Sequence, residues 1–234
     1  MKLSYDLHVH SHLSPCADRL MTPNNIFNMA MLKKLDIVAI TDHNTLIQAQ
    51  LYQELAKSYD YLFIYGAEIT VREGFHVLVY FETATHAFIF QSIIDTLIAN
   101  YPARLQEYQV ISNCLDDEVG TYPYDLHATL GISLSSLAQK VRALDGMIVI
   151  SHVDRPHYGL FTHHFDIESD DFDAFELKSM ANLPAVLEEY PALKNKQIMF
   201  NSDAHCLEAI HEPIQFIECE DKTFASLKKA IKTL

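Results

Sequence analysis

Short apolar segments that suit β-strands alternate with helical segments along most of this 234-residue chain. The clearest strand-like segments are "DIVAI", "YLFIYGAEIT", "FHVLVYF" and "GMIVIS". Strands that alternate with helices are typical of a largely parallel sheet covered by helices. About seven such strands in a chain of this length predict an α/β fold and favour a closed seven-stranded (β/α)7 barrel over an open sheet, with residues 1–234 forming a single domain.

One stretch of the chain departs from this alternation. Residues 86–144 contain two helical patterns, "FIFQSIIDTLIA" and "SLAQKVRAL", separated by a polar stretch with proline and glycine. We therefore expect a mostly helical insertion around residues 86–144. Since the loops at the rim of a barrel set its specificity, we expect substrate choice to be made there.

Ligand-type side chains lie at or near an end of nearly every predicted strand. His8 and His10 are two residues apart on one strand and so project from the same face, and Asp203 and His205 repeat that spacing. The others are His43, Glu68, His76 and His152. A single histidine at a strand end is more often a hydrogen-bonded structural residue. Because the carboxyl ends of parallel barrel strands form one rim, the set as a whole predicts a shared cation site.

The charge balance bears on what such a site could bind. The chain has 31 acidic and 17 basic residues, a formal net charge of −14, and no cluster of lysine and arginine. Proteins that bind along nucleic acid present a basic face, since neutralising phosphates drives that affinity. We therefore expect a small phosphorylated substrate and no direct grip on nucleic acid.

The sequence also carries signals about the cell compartment. No stretch approaches the roughly 20 apolar residues needed to span a bilayer, and the first residues contain no apolar secretory segment. The four cysteines form no C-x-x-C pair. We expect a cytoplasmic protein with reduced thiols and no membrane partner, in which Cys114 and Cys219 are buried. Cys16 and Cys206 lie beside predicted ligands.

Five segments in order, "DLHVHSHLSPCAD", "AITDHNT", "GAEIT", "ISH" and "NSDAH", resemble the motifs of the PHP (polymerase and histidinol phosphatase) family. The resemblance covers essentially the whole chain. It implies a distorted seven-stranded barrel with up to three divalent metal ions (Zn, Mn or Fe) at the carboxyl ends of the strands. It also implies hydrolysis of phosphate esters by metal-activated hydroxide.

The same resemblance implies three metal positions. The first would be formed by His8, His10, Glu68 and Asp203. The second would share Glu68 and add His76 and His152. The third would be formed by Asp18, His43 and His205. In the family, a Ser-Asp-Gly often follows soon after the second histidine, whereas here the aspartate is farther from His10 and Arg19 replaces the glycine. His12 is therefore the alternative to Asp18.

Side chains around the metals are predicted to complete the site. Arg155 is the first candidate to bind a phosphoryl oxygen and Arg19 the second, because the planar donors of arginine match phosphate oxygens. A solvated loop arginine is the alternative for both. Asp6 and Asp42 are candidates to accept the second N–H of a ligand histidine, although Asp42 could instead cap the next helix.

The leading functional hypothesis is hydrolysis of a small phosphate monoester, such as a nucleotide or sugar phosphate. One alternative is a non-catalytic metal-binding regulatory module of a polymerase-like assembly, which the full set of ligand positions disfavours. Another is an amidohydrolase, which the lack of an obvious metal-bridging lysine disfavours. The sequence leaves the substrate, the native metal and the oligomeric state open.

Overall fold

The computed structural model describes residues 1–104, 108–160 and 167–232. The strands are β1 (Lys2–Asp6), β2 (Ile37–His43), β3 (Leu62–Thr70), β4 (His76–Phe81), β5 (Val110–Ser112), β6 (Glu118–Thr121), β7 (Met147–Ile150), β8 (Ala174–Glu176), β9 (Gln197–Met199) and β10 (Phe216–Glu218). The α-helices are α1 (Pro23–Leu32), α2 (Ala49–Ala56), α3 (Ala84–Ile98), α4 (Leu134–Arg142), α5 (Leu183–Glu189) and α6 (Phe224–Lys232). Short 3-10 helices span Ser169–Asp171, Met180–Asn182, Pro191–Leu193 and Leu207–Ala209. Within these ranges, no helix combines the length and apolar character needed to cross a membrane.

Eight of the strands form one curled sheet, in the order β10-β1-β2-β3-β4-β7-β8-β9. The predicted α/β class is confirmed, but the sheet has eight strands rather than the predicted seven. At one edge of the sheet, β10 pairs antiparallel with β1 and matches Lys2 with Glu218. Beyond the strand ends, Val9 and Ala204 form an isolated parallel bridge, which brings the continuations of β1 and β9 together.

The direction of β4 determines which of its ends reaches the edge where the parallel strands finish. β4 is antiparallel to both neighbours, so His76 pairs with Thr70 near the end of β3 and Val77 pairs with Ile150 at the end of β7. A reversed strand brings its first residue to the edge at which its neighbours end. His76 therefore lies at the same edge as Glu68.

The predicted start of α1 is observed. Thr22 has an extended backbone, and its side chain accepts the N–H of Asn25, while Pro23 occupies the first turn. Proline suits this position because its missing N–H would have no partner inside the helix. The loop before α1, which carries part of the predicted site, is thus held at a defined helix start.

The segment 86–144 is less helical than its sequence pattern predicted. Between α3 and α4 it contains a separate two-stranded sheet formed by β5 and β6. Cys114 lies between these two strands and is exposed, whereas the sequence predicted it to be buried; Cys219 is buried as predicted. Ser112 of β5 donates its N–H to the Gln48 side chain, which attaches the small sheet to the loop before α2. That the segment is an insertion into the domain stays a prediction.

Buried apolar side chains form two clusters because successive residues of a strand face opposite sides of the sheet. In β2, Ile37 and Ala39 belong to one cluster and Val38 and Ile40 to the other. The first cluster also takes in Phe224, Leu227 and Ile231 of α6. Helix α6 therefore packs on the same face of the sheet as Ile37.

Gly146, between α4 and β7, has no room for a side chain. A Cβ atom there would lie 2.6 Å from Val141 Cγ1 and 2.8 Å from the carbonyl oxygen of Tyr80. We expect Gly146→Ala to lower the free energy of unfolding by about 1–3 kcal/mol, the usual cost of overpacking. Urea denaturation would show a lower midpoint with an unchanged slope. Gly131→Ala is the control, because a Cβ there meets no atom within 4 Å; equal losses in the two variants would contradict the steric explanation.

Candidate metal centre

Glu68 lies at the centre of a buried cluster of imidazoles. Only 1% of the Glu68 surface is exposed. The surrounding rings are those of His8, His10, His43, His76 and His152. The distances from a carboxylate oxygen of Glu68 to the nearest ring nitrogens are 3.0 Å for His76, 3.1 Å for His152, 3.2 Å for His43 and 3.3 Å for the other two. Strands that are distant in sequence thus bring five imidazoles to one carboxylate.

Asp203 supplies the second carboxylate of the cluster. Its Oδ1 lies 3.3 Å from Nε2 of His8 and 3.3 Å from Nε2 of His10. The backbone of Asp203 is in the left-handed region (φ 56°), which aspartate tolerates better than most residues. The next residue, Ala204, is held by hydrogen bonds to the backbone at His8 and His10. The carboxylate is therefore held beside both rings.

The Nε2 atoms of His8 and His10 face each other at 3.2 Å. The Nδ1–H of His8 donates to Glu176 (2.9 Å), and the Nδ1 of His10 lies 3.2 Å from the Ser14 hydroxyl, which itself donates to Asp42. In the neutral form of both rings, these contacts favour the proton on Nδ1, so that each Nε2 then presents a lone pair to the cluster. Two facing lone pairs close to two carboxylates call for a cation between them.

Four groups of side chains in the described part of the chain each have one ligand atom per residue within 4.8 Å of the others. They are His8, His10, Glu68 and Asp203; His43, Glu68 and His76; His10, His43 and His205; and Cys16, His43 and His127. His152 is outside these groups but contacts Glu68 directly. The structure therefore brings together every residue predicted as a metal ligand except Asp18.

The unpaired atoms of the cluster provide a test of whether the site suits metal ions. Nδ1 of His43, His76 and His152 and Oδ1 of Asp203 are buried and make no hydrogen bond, although three of these atoms lie 3.0–3.3 Å from another polar atom of the cluster: Nδ1 of His43 and His76 from Glu68, and Oδ1 of Asp203 from His8 and His10. Buried polar atoms normally have partners, so each orphan requires an explanation. Imidazole and carboxylate donors in this number are the ligands of zinc, manganese and iron. The residues therefore fit divalent cations.

The protonation states around Glu68 also suit cation binding. Burial would raise the pKa of Glu68, but the imidazoles of His76 and His8 outweigh it and hold that pKa well below its usual range. Burial lowers the pKa of His43 well below its ordinary value and that of His205 to about 4. The pKa values of His8 and His10 are raised instead, because nearby carboxylates (Glu176 and Glu68 for His8, Asp203 and Glu68 for His10) outweigh the effect of burial. Cation binding at His8 would therefore displace a proton.

Glu176, at the end of β8, was missed by the sequence analysis. Besides accepting from His8, its Oε2 accepts the backbone N–H of His152 at 3.1 Å. Asp6, the sequence candidate for the partner of His8, instead accepts two backbone N–H groups from the segment after β9. Asp42 accepts the hydroxyl of Ser14, which in turn contacts His10, so its link to that ring is indirect. Asp42 does not cap α2, which begins at Ala49. The strand-end rule that predicted the ligands would also have selected Glu176.

Neither Asp18 nor His12 lies in the cluster. Asp18 is exposed, and its carboxylate accepts the N–H of Leu20 at 2.8 Å. The Nε2 of His12 lies 2.7 Å from the Ser112 hydroxyl. The longer loop after His10 explains this, because its turns present Cys16 to the pocket in place of the aspartate.

An open pocket of about 620 Å³ lies over the cluster. Its lining includes Glu68, His43, Asp203, Cys16, His127, Arg104 and Arg155. Nη1 of Arg155 is 2.7 Å from Oδ2 of Asp203, and the arginine side chain is 46% exposed. The predicted Arg19 is elsewhere: its guanidinium lies 4.2 Å from the ring centroid of Tyr108. The volume is within the usual range for small-molecule sites.

A protein-family model described as the PHP domain matches residues 6–181 of the chain. Among solved structures, the lesion-specific endonuclease PfuEndoQ of Pyrococcus furiosus superposes with a TM-score of 0.71 at 21% identity, covering 100% of this chain and 56% of that one. Endonuclease Q in complex with a 27-mer duplex substrate, with an abasic lesion at the active site, gives a TM-score of 0.68 at 22% identity and covers 100% and 57%. The chain thus spans little more than half the length of these proteins.

Two further structures share the fold. A two-domain protein of Bacteroides vulgatus, containing a predicted PHP-like metal-dependent phosphoesterase, gives a TM-score of 0.58 at 15% identity and covers 99% of this chain and 63% of that one. An amidohydrolase of Chromobacterium violaceum with bound sulfate gives a TM-score of 0.57 at 15% identity, and the match covers 92% of this chain and 91% of that one. Phosphoesterase-like and amidohydrolase-like proteins therefore share this architecture.

The prediction that the acidic balance excludes a direct grip on nucleic acid is wrong. Endonuclease Q has the same fold and binds a DNA duplex. The formal net charge counts every carboxylate, including the clustered Glu68 and Asp203, whereas contacts to a phosphate chain depend on the local field around the site. The net charge of the whole chain therefore does not decide this question.

Proposed function

The chain belongs to the PHP domain family, and we propose that it is a metal-dependent phosphoesterase. The observation that carries the proposal is Glu68, which lies 3.0–3.3 Å from the ring nitrogens of five histidines. A carboxylate shared among so many imidazoles would suit two neighbouring cations. Hydrolases of phosphate esters use such paired cations.

We propose two positions from the observed contacts. One cation would be held by His8, His10, Glu68 and Asp203, and the other by Glu68, His76 and His152. When bound, such cations lower the pKa of water and neutralise charge on phosphoryl oxygens. The mixed oxygen and nitrogen donors favour zinc, manganese or iron as the metal.

The protein's own residues orient the donors and hold the substrate. Glu176 keeps His8 in the tautomer whose Nε2 faces the cluster, and Ser14 does the same for His10. Arg155, paired with Asp203 and half exposed to the pocket, is placed to bind a phosphoryl oxygen. The other pocket arginine is Arg104, which also lies near Asp125 (3.4 Å).

Our first candidate substrate is a small phosphate monoester, such as a nucleotide or sugar phosphate. The pocket volume of about 620 Å³ supports this choice. The second candidate is a phosphodiester in DNA, which is supported by the fold likeness to endonuclease Q over the whole of this chain. The likeness covers only 56–57% of that protein, so it supports a phosphodiester as a candidate substrate and carries no argument about lesion specificity.

A substrate panel distinguishes these candidates. Purified protein loaded with manganese or zinc would be assayed on an aryl phosphate, an aryl phosphodiester, mononucleotides, an aryl amide, and a DNA duplex with and without one abasic site. Turnover of monoesters supports the first candidate, and nicking of the duplex supports the second. Turnover of amides alone would favour an amidohydrolase, and metal binding without any turnover would favour a regulatory module.

Replacing Arg155 tests its role in substrate binding. We expect Arg155→Ala to lower kcat/KM for phosphoesters about 10- to 100-fold, which corresponds to roughly 1.4–2.7 kcal/mol of transition-state stabilisation. The loss reflects the missing bidentate donor. Arg19→Ala is the matched arginine control and is expected to change kcat/KM less than about twofold, since loss of an exposed contact has little effect. Equal losses in both variants would contradict the placement of Arg155.

A further inference from the structure

Cys16 adds a thiol to one wall of the pocket, a type of donor that the two proposed positions do not use. Cys16, His43 and His127 each offer one ligand atom, and these atoms lie within 4.8 Å of one another. All three residues line the pocket. The sequence analysis had predicted Asp18 as the ligand contributed by this loop.

His127 is held beside His43 by the residue that follows His43 in sequence. The side-chain amide of Asn44 donates to the carbonyl oxygens of Leu126 (2.9 Å) and Ala128 (2.8 Å), one on each side of His127. The ring centroids of the two histidines are 5.3 Å apart and meet edge to face. These two hydrogen bonds fix the backbone on both sides of His127 to the end of β2.

Cys16 is placed by backbone contacts on its C-terminal side. The N–H of Ala17 donates to the carbonyl of Ser14 at 2.9 Å, which closes a turn around Cys16. The N–H of Asp18 donates to the carbonyl of His205 at 2.8 Å, which ties the same turn to the rim of the pocket. These bonds direct Asp18 outward and leave Cys16 at the pocket.

His43 provides independent evidence for a ligand in this region. The residue is only 6% exposed, and its Nδ1 lies 3.2 Å from Oε2 of Glu68 without forming a hydrogen bond. It also belongs to three of the four ligand groups. A buried imidazole that several groups of ligand atoms share is the kind of side chain that binds a cation.

We propose that Cys16, His43 and His127 bind a third divalent cation of the zinc type, with the thiolate of Cys16 in the role predicted for Asp18. Binding would release the thiol proton to solvent while the sulfur bonds to the cation. One thiolate and two imidazoles favour zinc or cobalt over magnesium, and three protein donors leave a fourth tetrahedral position for water or a phosphoryl oxygen. The inference rests on the proposed metal-dependent function and specifies one of its metals.

Cobalt spectroscopy tests this site without reference to activity. Protein stripped of metal by a chelator would be titrated with Co²⁺, and a thiolate-to-cobalt charge-transfer absorption in the near ultraviolet is expected. Cys16→Ser should abolish the absorption and remove about one bound cobalt per chain. Cys114→Ser is the control, because Cys114 is exposed between β5 and β6 and outside the four ligand groups of the described residues. His127→Gln should weaken the affinity measured from the absorption by roughly tenfold or more.

A second measurement uses the unaltered protein. Zn²⁺ or Co²⁺ should slow alkylation of Cys16 at least about tenfold, as followed by mass spectrometry, and should leave alkylation of Cys114 unchanged, because a metal-bound thiolate is not free to react. Retention of the charge-transfer absorption in Cys16→Ser, or unprotected Cys16 in metal-loaded protein, would overturn the inference. Phosphoester turnover by a cobalt-loaded protein without the absorption would reject this site and leave the proposed function intact. Observation of the absorption without turnover of any phosphoester would support this cation site and reject the proposed function.

Discussion

Glu68→Gln is expected to reduce metal-dependent phosphoester hydrolysis by at least about 1000-fold. The carboxylate lies within 3.3 Å of five imidazoles, so its charge contributes to both proposed cation positions at once. Glutamine keeps the shape of the side chain but removes the negative charge and one acceptor oxygen. Steady-state kinetics and metal analysis of the purified variant would measure the loss of turnover together with the loss of bound metal.

Glu208→Gln is the matched control for this variant. Glu208 is exposed on the 3-10 helix Leu207–Ala209, so the same chemical change there should leave both measurements within about twofold of the original. Circular dichroism would verify that the Glu68 variant folds. A folded Glu68→Gln protein with unchanged turnover would contradict the metal centre described above.

Removing metal from the intact protein is expected to lower phosphoester hydrolysis to background, with recovery on adding manganese or zinc. A cation at about 100 times its dissociation constant stabilises the folded state by about 2.7 kcal/mol. Since each kcal/mol shifts Tm by about 2–4 °C in a domain of this size, chelation should also lower Tm by about 5–10 °C. The physical reason is that buried ligand atoms such as Nδ1 of His76 and Oδ1 of Asp203 contact other polar atoms of the cluster without forming hydrogen bonds among the described residues, and a cation would satisfy them.

The two readouts separate a catalytic role from a structural one. A fall in Tm without loss of activity would show that the metal only supports the fold. Unchanged activity in protein shown by elemental analysis to be free of metal would contradict metal-dependent catalysis. Adding Mg²⁺ alone is a useful comparison, because nitrogen-rich sites bind magnesium poorly.

Local patterns predicted much of the fold. The apolar runs of β2, β3 and β4 lie in the sheet as predicted, and the Thr22-Pro23 signal marks the start of α1. These features depend on neighbouring residues, and so a single sequence reveals them. The sheet has one strand more than the seven predicted, and its edge pairing of β10 with β1 joins segments that are too distant in sequence for a local pattern to reveal.

The sequence by itself determined which residues could act as ligands, because a strand with residues at i and i+2 presents both on one face, as His8 and His10 do. It could not determine Glu176 as the partner of His8, since that contact joins residues 168 positions apart. The tertiary structure alone decided that His76 reaches the cluster from the start of its strand, because β4 runs against both neighbours. It also decided that the loop after His10 turns Cys16 toward the pocket and Asp18 toward solvent. Backbone hydrogen bonds across the fold, such as that from Asp18 to His205, set that orientation, and no spacing within the loop encodes it.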